Sequence, residues 1–65
     1  MEFKKYFQVL KACNEEPGNI DHIVMESNLD ENNVIKILAN LQNEGLVYEE
    51  DKIWAITAKG NKYIQ

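Results

Sequence analysis

Apolar residues recur along this chain with two different periods, and each period predicts its own kind of element. From Phe3 to Cys13, the residues Phe3, Tyr6, Phe7, Leu10 and Cys13 fall on one stripe at helical spacing, with Val9 widening it. The stretch EEPG then stops this first helix, because Pro17 cannot donate to the preceding turn and Gly18 supplies free dihedrals. A second helix of about two turns should follow, carrying Ile20, Ile23 and Val24 inward, with Asn19 or Asp21 placed to cap it. In ESNLD, Asn28 tolerates the left-handed conformation that a tight interhelical turn requires, and Leu29 plugs that turn into the core. Asp30 is expected to cap a third helix in which Val34, Ile37, Leu38 and Leu41 share one face, and Gly45 ends it.

After Gly45 the period falls from 3.6 to 2. LVYEEDKIWAI holds two short β-prone runs around an acidic turn, which reads as a hairpin. A turn at Glu50–Asp51 would pair Tyr48 with Ile53 and Val47 with Trp54, and would gather Val47, Trp54 and Ile56 on one face. Thr57 can cap a short closing helix bearing Tyr63 and Ile64. The expected core closes Leu10, Ile23 and Leu38 over one another, with the hairpin sealing it below.

This order of elements, and two stretches within it, resemble the winged helix-turn-helix family in its bacterial and archaeal regulator form. The first stretch is IDHIVMESNLDENNVIKILANLQNEGLV, with Ile20, Ile23, Val24, the turn at Ser27–Asn28, Leu29, Val34, Leu38, Leu41, Gly45 and Leu46 in place. The second, ITAKGNKYI, is similar to the exit from the wing in that family. The resemblance implies a mostly α fold with a small β-hairpin: a three-helix core, a two-stranded wing and a short C-terminal helix, in one domain over residues 1–65. It also implies a non-enzymatic, DNA-binding regulator of transcription that lays its third helix in the major groove. Departures are visible where the third helix of the family usually offers Ser, Thr and Arg, since Ile35, Lys36 and Asn40 stand there. The tip of the wing, often basic, is Glu49-Glu50-Asp51.

Charge sharpens the question of what this fold would bind. Residues 15–51 hold ten acids and one base, Lys36, whereas the two ends hold six lysines against Glu2, and there is no arginine. Opposite the apolar stripe of the third helix lie Asn32, Lys36, Ala39, Asn40 and Asn43, with Asn33 at the margin. An asparagine can make a bidentate pair with adenine, and Lys36 can reach a guanine edge or a phosphate. Asn32, Asn33, Lys36 and Asn40 are therefore the candidate contacts to duplex DNA, with Lys52 supporting them from the wing. The bland alternative is a solvated helix face. The acids suggest a third possibility, a module that docks a basic protein partner through the acidic hairpin. Ile35 is expected half-buried against the second helix. If exposed beside Tyr48 and Ile53, it would complete an apolar patch, bordered by Glu49 and Glu50, for that partner.

Catalytic chemistry finds little support. His22 is the only histidine and has no cysteine at metal-binding spacing, and no glycine-rich phosphate loop occurs. Cys13 lies at helical spacing with Leu10 and reads as a packed thiol. Neither a cofactor nor a metal is expected. No apolar run approaches the ~20 residues that span a bilayer, and the N-terminus lacks the pattern of a secretory signal. A reduced, cytoplasmic setting is the simplest expectation for a chain with one cysteine. A chain this short gains from a partner subunit, and a homodimer through the first helix is expected.

Overall fold

α1 (Phe3–Glu15) opens the computed structural model, which describes residues 3–65. Its inward side buries Val9, Leu10, Ala12 and Cys13, with Tyr6 partly buried against them. Phe3, expected at the head of the stripe, is exposed instead, because at the first turn of α1 the other elements no longer cover it. α2 (Ile20–Ser27) is eight residues long. Of its two candidate caps, Asn19 takes the role: its side-chain oxygen accepts the backbone N–H of His22 at 2.9 Å. Asn28 closes α2 at φ 66° and donates its N–H to the Val24 carbonyl, so the interhelical turn uses the left-handed residue that the sequence offers.

α3 (Glu31–Asn43) buries Val34, Ile37, Leu38 and Leu41 as expected. Asp30 stands at its N-cap position with extended backbone, but its carboxylate bonds no helix N–H. It accepts the side-chain amide of Asn33 instead. At the other end Gly45 adopts φ 77°, donating to the Gln42 carbonyl at 3.0 Å while Leu46 donates to Leu41 at 2.9 Å. That pair of bonds is a Schellman motif, and it returns the chain so that Leu46 packs beside Leu41 in the core.

β1 (Val47–Glu50) and β2 (Ile53–Ile56) form an antiparallel ribbon with the register Val47↔Ile56, Tyr48↔Ala55, Glu49↔Trp54 and Glu50↔Ile53. The turn is Asp51–Lys52, one residue later than expected, and each partner moves by two. A shift of two keeps every side chain on its face. Val47, Trp54 and Ile56 therefore still face the core, while Tyr48, Glu50, Ile53 and Ala55 face out. Both turn residues have positive φ, 57° and 68°, the sense that suits a two-residue turn to the twist of the strands. The other edge of β2 is met by Gly18: its N–H donates to the Trp54 carbonyl at 3.1 Å, and Trp54 returns the bond at 2.7 Å. The residue read only as a helix stop thus also ties the α1–α2 turn to the ribbon.

α4 (Ala58–Asn61) is a single turn capped by Thr57, whose hydroxyl accepts the Gly60 N–H and donates to the Gly45 carbonyl at 2.7 Å. Tyr63 and Ile64, expected on this helix, lie in the turn after it. Ile64 still packs on the core, whereas Tyr63 is exposed. Leu10, Ile23 and Leu38 share one buried cluster, with Trp54 packed against it.

Candidate functional site

The apolar stripe of α3 fixes what the rest of the helix can present. With Val34, Ile37, Leu38 and Leu41 turned inward, helical spacing puts Asn32, Lys36, Ala39 and Asn43 on the opposite side, and all four are exposed. The side chains of Asn32 and Lys36 make no hydrogen bond or ion pair among the described residues, so their polar groups are available to a ligand. Asn33 lies at the margin of this face, half-buried, and Asn40 is exposed at its edge toward α1. The Asn33 amide is held by Asp30, and the Asn40 amide donates to the Tyr6 hydroxyl on α1. A base contact from either would first break an internal bond.

Lys52 occupies the wing turn, where its backbone N–H donates to the Glu49 carboxylate at 2.9 Å. It lines a groove of about 440 Å³ together with Asp21, Glu31, Glu49 and Trp54. Carboxylates from three different elements thus line one groove with it. Sequence reading missed this convergence, because Asp21, Glu31 and Glu49 are far apart along the chain. The available signal was that Asp21 and Glu31 each sit in the first turn of a helix, where carboxylates favour the positive end of the dipole.

Ile35 is exposed, not half-buried: one step along the helix turns it about 100° off the Val34 stripe. It shows 43% of its surface, Tyr48 48% and Ile53 41%. Tyr48 and Ile53 lie diagonally on the outer face of the ribbon. Ile35 follows Glu31 by one turn, on the flank of α3 that borders the Glu31–Glu49 groove. The α3 face and the wing together carry Asp30, Glu31, Glu44, Glu49, Glu50 and Asp51 against Lys36 and Lys52.

The other chemical candidates stand apart from this surface. Cys13 is buried in the core, and burial pushes its thiol up to about 11. The His22 ring packs against Gly18 with Nε2 3.8 Å from the Glu16 carboxylate. No group of three or more His, Cys, Asp or Glu among the described residues could hold a metal ion. Nor is any described helix long and apolar enough to cross a membrane. A family model described as winged helix-turn-helix matches residues 2–65. No curated protein matches the chain.

Proposed function

Because the chain belongs to the winged helix-turn-helix family, we propose that it is a DNA-binding regulator of transcription that works in the cytoplasm and performs no catalysis. One observation carries the reading: α3 presents an open polar face, with Asn32 and Lys36 unengaged and Ala39 small enough to let the helix approach a groove closely. Lys36 meets a phosphate or a guanine edge, Asn32 an adenine edge, and Ala39 a thymine methyl. Asn33 and Asn40 contribute little, since their amides are already bonded. Lys52 adds one phosphate contact from the wing.

Electrostatics set the character of this binding. Each neutralised phosphate gives a slope of about −0.9 in log affinity against log salt. Lys36 and Lys52 alone support a slope of about −2 per chain, shallow for a protein of this class. Titrating a labelled duplex at two salt concentrations measures it. Lys36→Ala is expected to flatten the slope by about 0.9 and weaken binding on all sequences. Asn33→Ala should leave affinity almost unchanged.

A second reading rests on the carboxylates that crowd the wing and the N-terminal end of α3. Here the same surface, with Ile35, Tyr48 and Ile53 as its apolar part, docks a basic protein. Absence of duplex binding even at low salt, together with capture of a basic polypeptide that is lost on charge reversal at Glu49 and Glu50, would replace the first reading with this one.

A further inference from the structure

A groove of about 500 Å³ opens between α1, the C-terminal end of α3 and the chain that follows α4. That is on the order of the volume that receives a compact ligand or a few side chains. Phe3, Tyr6, Phe7, Leu10, Leu46 and Tyr63 supply most of its lining. Phe3 and Tyr63 leave 65% and 58% of their surfaces in water. Aromatic groups of this size gain from being covered.

The border of this groove is basic. Glu44 is the one carboxylate among its described lining residues. Lys59 donates from Nζ to the Glu44 carbonyl at 3.0 Å, which holds its ammonium at the rim. Lys62 adjoins Tyr63, and Lys4 and Lys11 are exposed on the flank of α1 next to Phe7. The wing has the inverse composition. Tyr48 and Ile53 form an exposed apolar pair on its outer face, bordered by Glu50 and Asp51 with Lys52 as the single base of the turn. One surface is an apolar trough edged by ammonium groups, and the other is an apolar ridge edged by carboxylates.

We propose that these two surfaces bind one another between copies of this chain, the wing of one copy lying in the α1–α4 groove of the next. Charge complementarity selects this occupant. A two-fold dimer through α1 would set Lys4, Lys11 and Lys62 against the same lysines of its mate, and like charges across an interface cost affinity. Head-to-tail contact instead sets Glu50 and Asp51 of the wing against the lysines of the groove, an excess of opposite over like pairs even with Lys52 and Glu44 counted. It also leaves one wing and one groove unused at the two ends, so assembly grows with concentration instead of stopping at two. The exposed charge pairs make it sensitive to salt. The association shares the wing with the proposed phosphate contact of Lys52, but its test uses no DNA, so the two readings fail separately.

Sedimentation of the full chain at high concentration provides that test. At about 0.01 M salt, where the Debye length is about 30 Å, the average mass should rise past a dimer, and it should fall back at about 0.15 M. A wing variant, Tyr48→Ser with Glu50→Gln, and a groove variant, Lys62→Gln with Tyr63→Ser, should each sediment as monomers. All four positions are exposed, and far-ultraviolet circular dichroism verifies that both variants remain folded. Mixed one to one, the variants should recover association that ends at a dimer, because only one intact wing and one intact groove remain per pair. Variants that still self-associate alone, or that fail to rescue each other, would overturn the head-to-tail contact in favour of a symmetric one or of none. A wild-type chain that stays monomeric throughout would exclude a second copy as the occupant.

Discussion

A β-carbon on Gly60 would overlap the carbonyl oxygen of Leu46 and crowd the Ile56 side chain. The same carbonyl accepts the Thr57 N–H at 3.0 Å, so it cannot swing aside without releasing the cap of α4. Gly60→Ala is therefore expected to destabilise the fold by about 1–3 kcal/mol, the usual cost of forcing atoms into a packed site. Urea denaturation followed by the fluorescence of Trp54, the only tryptophan, measures it. Cys13 makes a different demand. Its thiol titrates near 9.0 when exposed and about 11 when buried here, so folding favours the protonated form. The resulting stability is complete below pH 9 and is lost as pH rises through about 11, because only the unfolded chain releases the proton readily. Cys13→Ala should give an alkaline stability profile that falls less steeply between those values than that of the wild type.

At the scale of elements, the wing turn is where local chemistry and the fold disagree most. Asp51 and Lys52 both sit at positive φ without a glycine between them. Aspartate tolerates that conformation through its short polar side chain, but lysine bears a penalty of about 1–2 kcal/mol there. Lys52→Gly should recover part of it, raising the urea midpoint by an amount equivalent to about 1 kcal/mol, and the Glu49 carboxylate keeps its bond because the donor is backbone. The same turn marks the limit of what the sequence discloses. Helix periodicity placed α2 and α3, the Asn28 turn and the Gly45 stop, since each depends on residues close along the chain. The hairpin turn was misplaced by one residue because EEDK offers no glycine to fix it. The bridge from Gly18 to Trp54 spans a long separation, and one glycine after a proline carries no sign of a strand partner. At the candidate site, the α3 face was legible from spacing alone. The engagement of Asn33 and Asn40, the exposure of Ile35 and the meeting of Asp21, Glu31 and Glu49 all depend on tertiary neighbours.

Across the whole molecule, charge is sorted by location more than it is paired. Asp21, Glu31 and Glu49 converge on one groove with Lys52, while Lys59 and Lys62 stand on the segment after the wing. The groove sets three carboxylates against one ammonium and so stays net negative, and the lysines after the wing, in a molecule of principal extents 29 × 25 × 20 Å, are not among its lining residues. Coulomb energy falls with distance, so repulsion is the larger effect on folding. Raising ionic strength from about 0.01 to about 0.1 M shortens the Debye length from about 30 to about 10 Å. The urea midpoint should therefore rise over this range in a chloride salt, which avoids the added stabilisation that sulfate gives by exclusion from the surface. Glu31→Gln separates this cause from a general salt effect. It removes one carboxylate from the groove without touching the buried stripe of α3, and it also gives up the favourable end of the α3 dipole, so the diagnostic is the salt response of the urea midpoint, which should be weaker than that of the wild type. A midpoint that falls with salt would mean that attraction between the acidic and basic ends dominates the folded state, and the wing carboxylates would then be stabilising where they stand.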